Sequence, residues 1–128
     1  MNLQRVLWTI GGVLIATAIL VCLLPVQDIA APIEWNDKAS HLVGHGMLAL
    51  YFAGLVPRRS WWKIFVLLLL MGIAIEFAQH YMQWGRAGDP RDVVANGTGA
   101  LLGLALGRLG AARWPEVAAR LLGRRATQ

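Results

Sequence analysis

The sequence has few charged residues and almost no cysteine. Only 15% of its 128 residues are charged and 57% are apolar, whereas a soluble domain usually carries about 25% charged residues. The single cysteine, Cys22, excludes an intrachain disulfide and any metal site built from several cysteines. The shortage of charge indicates a protein whose solvent is largely lipid. The length predicts a single domain over residues 1–128.

Acidic residues are also in the minority, which raises the question of a nucleic-acid partner. Twelve Lys and Arg stand against seven Asp and Glu, for a net charge of +5. The basic residues form short clusters between apolar runs, whereas a nucleic-acid-binding protein presents a basic face on a soluble fold. We therefore predict no nucleic-acid partner, and we explain the clusters by the enrichment of Lys and Arg in the cytoplasmic links of membrane proteins.

Four apolar runs are long enough, or nearly so, to cross a bilayer as helices. A hydrocarbon core of roughly 30 Å needs about 20 apolar residues in an α-helix. The first run has no charge and is too long for the apolar core of a signal peptide, so we predict a retained helix. The expected fold is an all-α membrane protein, a bundle of four transmembrane helices at residues 6–24, 40–56, 64–82 and 93–109.

The tail over residues 110–128 is basic and amphipathic. Trp114, Val117 and Leu121 fall on one helical face, and Arg120 lies mostly opposite. This pattern predicts a short C-terminal amphipathic helix on the inner membrane surface, with a frayed tail as the alternative. The tail, the N-terminus and the second link are basic, whereas the first and third links also carry acids. We therefore predict cytoplasmic termini, with the first and third links outside.

This topology brings polar residues of three predicted spans to the extracytoplasmic end. They recur at helical spacing, with Asp37, His41 and His45 in the second span, Glu76, Gln79 and His80 in the third, and Asp92 and Asn96 in the fourth. Polar side chains are costly inside a membrane, so each one requires a partner or a role. We predict that the three polar faces converge in a functional site. The alternative is that they only form hydrogen bonds between helices.

Two further features refine this arrangement. Gly99, Gly103 and Gly107 repeat at a spacing of four, and small residues at that spacing let helices approach closely in lipid. The face that carries the glycines is therefore predicted to pack against a neighbouring helix. In the third link, Arg86 is predicted to lie over the polar residues and to pair with Glu76 or an aspartate.

An ordered set of short motifs runs from residue 37 to residue 109. They are Asp37-Lys38 with His41, Glu76 with Gln79, Arg86 with Asp89, Asp92 with Asn96, and Gly99 with Gly103. In this order they resemble the VanZ-like family. The resemblance implies a small multi-pass protein of the bacterial plasma (inner) membrane. It also implies a role in the cell envelope, because the founding member is tied to resistance to the glycopeptide antibiotic teicoplanin.

A polar site beside lipid headgroups suggests that the protein binds or modifies a lipid-linked or cell-wall component and contributes to glycopeptide resistance. A glutamate with a neighbouring histidine can carry out acid–base chemistry, although the sequence names no nucleophile. The predicted catalytic residues are Glu76, His41 and Asp92. The predicted binding residues are Asp37, Lys38, Gln79, Arg86, Asp89 and Asn96.

Two alternatives to this function stay open at this point. The first is a metal site formed by His41, Glu76, His80 and Asp92. Because the sequence has no tight ligand motif, we predict no metal and no cofactor. The second alternative is a non-catalytic structural or accessory subunit whose polar residues only pack the helices. The expected partners are membrane lipid and a lipid-linked or peptidoglycan-related ligand, and a homo-oligomer or a membrane partner stays open.

Overall fold

The computed structural model describes residues 2–24, 37–82, 88–121 and 123, and these residues form helices without a strand among them. The helices are α1 (Leu3–Leu23), α2 (Asp37–Leu55), α3 (Trp61–Met82), α4 (Pro90–Arg108) and α5 (Trp114–Leu121). A 3-10 turn precedes α3 at Arg58–Ser60, and another precedes α5 at Ala111–Arg113. The all-α prediction is confirmed.

The four long helices begin earlier than the apolar runs that predicted them. Each starts three residues before the predicted segment, for example at 37 instead of 40, and ends within one residue of it. Polar residues account for the early starts of α1 and α4. Asn2 caps α1 by accepting a hydrogen bond from the Gln4 amide at 3.1 Å. Asp89 caps α4 in the same way, and Pro90 suits the first helical position.

Helices α2 and α4 run parallel to each other and pack closely through glycine. A Cβ atom on Gly99 would collide with the Leu42 carbonyl oxygen, and one on Gly103 would collide with the Gly46 carbonyl oxygen. The second contact lies four residues further along both helices than the first, so the two helices run in the same direction. The absence of side chains lets the two backbones touch, as the glycine repeat of α4 predicts. We call this contact the glycine seam.

Helix α3 runs opposite to α2 and α4. Its first residue, Trp61, lies against Gly107 near the end of α4, while Glu76 near its other end contacts Asp89 at the start of α4. The bundle therefore has two distinct ends. We call the end where α2 and α4 begin the cluster end, and the end where they finish the arginine end.

Helix α1 is attached more loosely than the other long helices. Gly11 is its one buried residue within the described range, and it packs against the ring of Phe52. The Tyr51 hydroxyl donates a hydrogen bond to the Leu7 carbonyl at 2.7 Å. Most of the apolar surface of α1 is exposed, including Val13 at 60%. Such a surface is suited to lipid rather than to water.

The described helices differ in how well they suit a membrane by length and hydropathy. Helix α1 and the segment Arg58–Met82 qualify alone, and α4 qualifies only with the segment Ala111–Leu121, from which it is bent by 74°. The described residues therefore contain two candidate spans, or three with the bent pair, and not clearly the four that were predicted. Helices α2 and α4 carry polar and glycine residues, which lower their mean hydropathy.

The predicted C-terminal amphipathic helix is present as α5, but its tryptophan packs inward. The Trp114 ring stacks on Tyr51 with centroids 4.8 Å apart, and its Nε1 donates to the Tyr51 carbonyl at 3.2 Å. Ala119 is buried, whereas Val117 and Leu121 are exposed. Trp114 thus packs α5 against α2. Only part of the predicted apolar face stays exposed and could contact a membrane surface.

Candidate functional site

Seven polar residues meet at the cluster end of the bundle. We call them the polar cluster: Asp37, Lys38, His41, Glu76, Asp89, Asp92 and Asn96. Four of the side chains are buried, with exposed fractions of 4% for His41, 8% for Glu76, 3% for Asp92 and 0% for Asn96. The predicted convergence of polar faces from three helices therefore corresponds to a real juxtaposition.

His41 lies at the centre of the polar cluster. Its Nδ1 atom is 3.0 Å from Asn96 Oδ1, and with the amide oriented this way the ring donates and the oxygen accepts. The Nε2 atom then faces two carboxylates, at 3.8 Å from Asp92 Oδ2 and 3.9 Å from Asp37 Oδ1. Both distances exceed a direct hydrogen bond. One edge of the imidazole is thus fixed by an amide, and the other faces two carboxylates without a direct hydrogen bond to either.

Lys38 links the carboxylates of Asp89, which caps α4, and of Asp92, in its first turn, to the start of α2. Its Nζ atom lies 2.9 Å from Asp89 Oδ2 and 3.4 Å from Asp92 Oδ1. The hydrogen bond from this ammonium group holds the pKa of Asp89 below its ordinary value. Asp92 therefore directs one oxygen toward Lys38 and the other toward His41. Such a bridge lets the nearly inaccessible Asp92 carboxylate be buried with a positive charge beside it.

Glu76 closes the cluster from α3. Its Oε2 atom accepts a hydrogen bond of 2.7 Å from the Asp89 amide, and its Oε1 atom is buried without a hydrogen-bond partner among the described residues. Gly88 packs closely against Glu76, because a Cβ atom on Gly88 would lie 2.6 Å from the Glu76 carbonyl oxygen. Glu76 thereby holds the residue that caps α4. Arg86, the predicted partner of Glu76, lies outside the described residues.

Asn96 requires a glycine on the facing helix. A Cβ atom on Gly72 of α3 would lie 2.5 Å from Asn96 Nδ2, and this nitrogen has no hydrogen-bond partner among the described residues. The sequence interpretation did not single out Gly72. Its signal was a glycine inside the apolar run of α3, one turn before Glu76. The interpretation also missed Gly46, which forms the α2 side of the glycine seam.

Three other residues on the predicted polar faces take different positions. Gln79 is buried, but it donates to the Cys22 carbonyl at 2.7 Å and so joins α3 to the end of α1. His80 is exposed and its ring contacts Tyr81, so its inclusion in the predicted site face was wrong. His45 lies one turn from His41, with Nδ1 at 3.2 Å from the His41 carbonyl oxygen.

The predicted glycine positions and the predicted metal alternative can now be located. Gly99 and Gly103 lie in the glycine seam, and Gly107 packs on Trp61. Among the described residues, the side chains that could hold a metal ion are Asp37, His41 and Asp92, whose ligand atoms all lie within 4.8 Å of one another. This set differs from the predicted one. Glu76 Oε2 is bonded to an amide, and His80 is exposed.

A comparison with protein families finds a match for the chain. The family model described as VanZ/LLP1 matches residues 6–111, a range that holds the four long helices almost entirely and the whole polar cluster. Neither the curated proteins nor the solved structures contain a match to the chain.

Proposed function

The chain belongs to the VanZ/LLP1 family, and from that premise we propose that it acts in the bacterial cell envelope through its polar cluster. In this proposal the cluster binds or modifies a lipid-linked or cell-wall component at the outer face of the plasma membrane. The activity contributes to resistance to glycopeptides such as teicoplanin. The family supports the setting, and the geometry of the polar cluster supports a site within it.

The proposal includes four membrane-spanning helices, α1 to α4. Helix α2 has 19 residues, which corresponds to about 28 Å at a rise of 1.5 Å per residue. Its polar side chains His41 and His45 are buried against other helices, while Val43 and Met47 are exposed at 52% and 68%. The surface that α2 offers to lipid is therefore more apolar than its mean hydropathy indicates. Helix α4 likewise exposes leucine and valine rather than its asparagine.

The proposal places the cluster end outside and the arginine end inside. The four long helices alternate in direction, so the starts of α1 and α3 share one end with the finishes of α2 and α4. That end carries four arginines, which are Arg5, Arg58, Arg59 and Arg108. Because cytoplasmic segments are enriched in arginine, we assign this end to the cytoplasmic side. With this orientation both termini are cytoplasmic, and the polar cluster faces the outer leaflet.

The observation that carries the function is the spacing of nearly 4 Å between His41 Nε2 and the two carboxylates. An ammonium group placed between Nε2 and the Asp37 and Asp92 oxygens could donate a hydrogen bond to each of the three, and a hydroxyl could donate to one of them, because each oxygen lies nearly 4 Å from the ring nitrogen. Sugar and peptide parts of cell-wall precursors supply such groups. His41 Nε2 would accept a proton from the bound group, and Asp92 would stabilise the resulting imidazolium. Asn96 would hold the ring in place through Nδ1.

The test is a resistance assay at equal levels of folded protein. We expect the wild-type chain, expressed in a teicoplanin-susceptible bacterium, to raise the minimal inhibitory concentration. His41→Gln and Asp92→Asn should lose that effect because they remove the base and its charged partner. The exposed His80→Gln is the matched control and should behave as wild type. Full resistance in both cluster variants, or none with the wild type, would overturn the proposal.

A second candidate function is that of a structural or accessory subunit. It is favoured by the contacts between helices, because Lys38, His41 and Glu76 each bond to a residue of α4 or its cap. In that case His41→Gln and Asp92→Asn should lower the yield of folded protein in proportion to the resistance. Fluorescence-detected size-exclusion chromatography separates the two functions. Normal folded yield with lost resistance supports the binding or catalytic site.

A further inference from the structure

The arginine end contains a second feature, which the proposed function does not use. A cavity of about 550 Å³ lies between the 3-10 turn at Arg58–Ser60 and the last turns of α4. We call it the arginine pocket. The lining residues that carry the argument are Arg58, Arg59, Arg108, Trp61, Leu101 and Leu104. The pocket lies at the opposite end of the bundle from the polar cluster, so a ligand here would be independent of that site.

The arginine pocket concentrates positive charge. Arg58, Arg59 and Arg108 line one cavity, and no acidic side chain lines it among the described residues. Within the same residues, none of these guanidinium groups forms an ion pair. Like charges that share a site repel one another, and an anion in the pocket would remove this repulsion. Guanidinium groups also match the oxygens of a phosphate in geometry.

Two side chains of the arginine pocket, Arg58 and Trp61, are held by contacts with the bundle. Arg58 Nη2 donates to the Arg108 carbonyl oxygen at 3.3 Å, and its guanidinium carbon lies 5.6 Å from the centre of the Trp61 ring. The Trp61 indole in turn donates to the Ala53 carbonyl oxygen at 3.2 Å. The pocket wall is therefore tied to α2, α3 and α4 together, which reduces the entropy lost on binding.

The other wall of the arginine pocket is apolar. Leu101 is 55% exposed and lies on α4 two turns before Arg108, and Leu104 lies between them. A free phosphate ion would leave this wall without a contact. A phospholipid would place its acyl chain along the leucines and its phosphate among the arginines. Basic pockets beside membrane helices are known to take anionic lipid headgroups.

We propose that the arginine pocket binds an anionic phospholipid. The headgroup phosphate binds Arg58, Arg59 and Arg108, and one acyl chain lies along Leu101 and Leu104. The Trp61 ring is only 8% exposed, so it supports the pocket wall behind Arg58 and leaves the lipid contacts to the arginines and leucines. The bound lipid would hold the start of α3 to the end of α4.

The proposal can be tested with the full-length protein purified in a neutral detergent. The probes are phosphatidylglycerol and phosphatidylcholine with identical acyl chains, together with inorganic phosphate. Native mass spectrometry and a thermal shift assay measure binding. We expect phosphatidylglycerol to bind at least about tenfold more tightly than phosphatidylcholine, because it has a net negative charge, whereas the choline group offsets the phosphate charge of phosphatidylcholine beside three arginines. Inorganic phosphate at the same concentration should produce no thermal shift.

Two variants test the residues. Arg58→Gln, Arg59→Gln and Arg108→Gln together should reduce phosphatidylglycerol binding to the level of phosphatidylcholine. Arg59→Gln alone should reduce it by a smaller factor without affecting folding, because this exposed side chain forms no hydrogen bond or ion pair with the described residues. The single variant therefore keeps the test decisive if the triple variant fails to fold.

A matched control separates a pocket from general surface charge. Arg5→Gln, Arg113→Gln and Arg120→Gln together remove the same charge from exposed positions outside the pocket. We expect this variant to keep the preference for phosphatidylglycerol. Equal loss in the control and pocket variants would overturn the proposal. So would equal binding of the two lipids, or a thermal shift with inorganic phosphate as large as that with phosphatidylglycerol.

Discussion

The two ends of the bundle handle charge in different ways. At the cluster end, groups of both signs pair with one another: the partly exposed Lys38 bridges Asp89 and the buried Asp92, and the buried His41 faces two carboxylates. At the arginine end the charged groups in the pocket have one sign and are exposed. Charge that is balanced within the chain can be buried and held in a fixed geometry. Charge that is not balanced depends on water or on lipid headgroups.

The glycine seam joins the two ends, so breaking it should have the largest effect on both. Gly103→Ala places a Cβ atom against the Gly46 carbonyl oxygen, and the two helices must move apart. Overpacking typically costs 1–3 kcal/mol and occasionally more. We expect loss of monodisperse protein in size-exclusion chromatography. Gly44→Ala, at a position with open space, is the control. Equal behaviour of the two variants would contradict the described seam.

A change confined to the cluster end should have the next largest effect. Asn96→Ala removes the acceptor for His41 Nδ1 and leaves a cavity facing Gly72. A buried group that loses its hydrogen-bond partner costs about 1–3 kcal/mol. We expect a lower melting temperature in a thermal shift assay. Thr98→Val, on the exposed side of the same helix, should change the stability by less than about 0.5 kcal/mol.

A change near the arginine end should have a smaller effect. Trp114→Phe keeps the ring that stacks on Tyr51 but removes the indole donor to its carbonyl oxygen. The loss of one such hydrogen bond costs about 0.5–1.5 kcal/mol. We expect earlier proteolysis of the tail with little change in the melting of the bundle. If Trp114→Phe lowers the melting temperature of the bundle as much as Asn96→Ala does, the two ends do not differ in their contribution to stability.

The smallest effect should be a dependence on pH that is specific to the cluster end. Lys38 lowers the pKa of Asp89, so the pair contributes stability above the ordinary aspartate pKa of about 3.9. That contribution is lost as the pH falls through the lowered pKa. We therefore expect Lys38→Met to lose less stability than wild type between pH 5 and the lowest pH tolerated, in a thermal shift series. Arg59→Gln should follow the wild-type profile, because Arg59 forms no ion pair with a carboxylate among the described residues.

The sequence predicted the helices and the meeting of the polar faces because both follow from helical spacing. His41 and Asp37 lie on one face of α2 wherever that helix packs, and Asp92 and Asn96 lie on one face of α4. The partner of each side chain depends on how the helices pack against one another. The spacing of residues within one helix does not predict that packing. Gln79 shows this, since it bonds to α1 rather than to the polar cluster.

The remaining differences have similar physical causes. Successive residues in a helix are rotated by about 100°, so His80 lies far enough around α3 from Gln79 to be exposed. Gly46 and Gly72 are two of 14 glycines in the sequence. They differ from the others only in the backbone or side chain that packs against them, which the sequence does not reveal. The number of membrane spans was harder to predict. The glycine and polar residues through which α2 and α4 pack together also lower the mean hydropathy of both helices.

The most direct test of the central claim is the resistance conferred by Asp92→Asn at an equal amount of folded protein. This substitution keeps the shape of the side chain and removes the charge that faces both His41 and Lys38. The minimal inhibitory concentration of teicoplanin is the measurement. We predict that the variant folds as wild type and confers no resistance, as a site at the cluster end requires. Wild-type resistance from the folded variant would contradict the account.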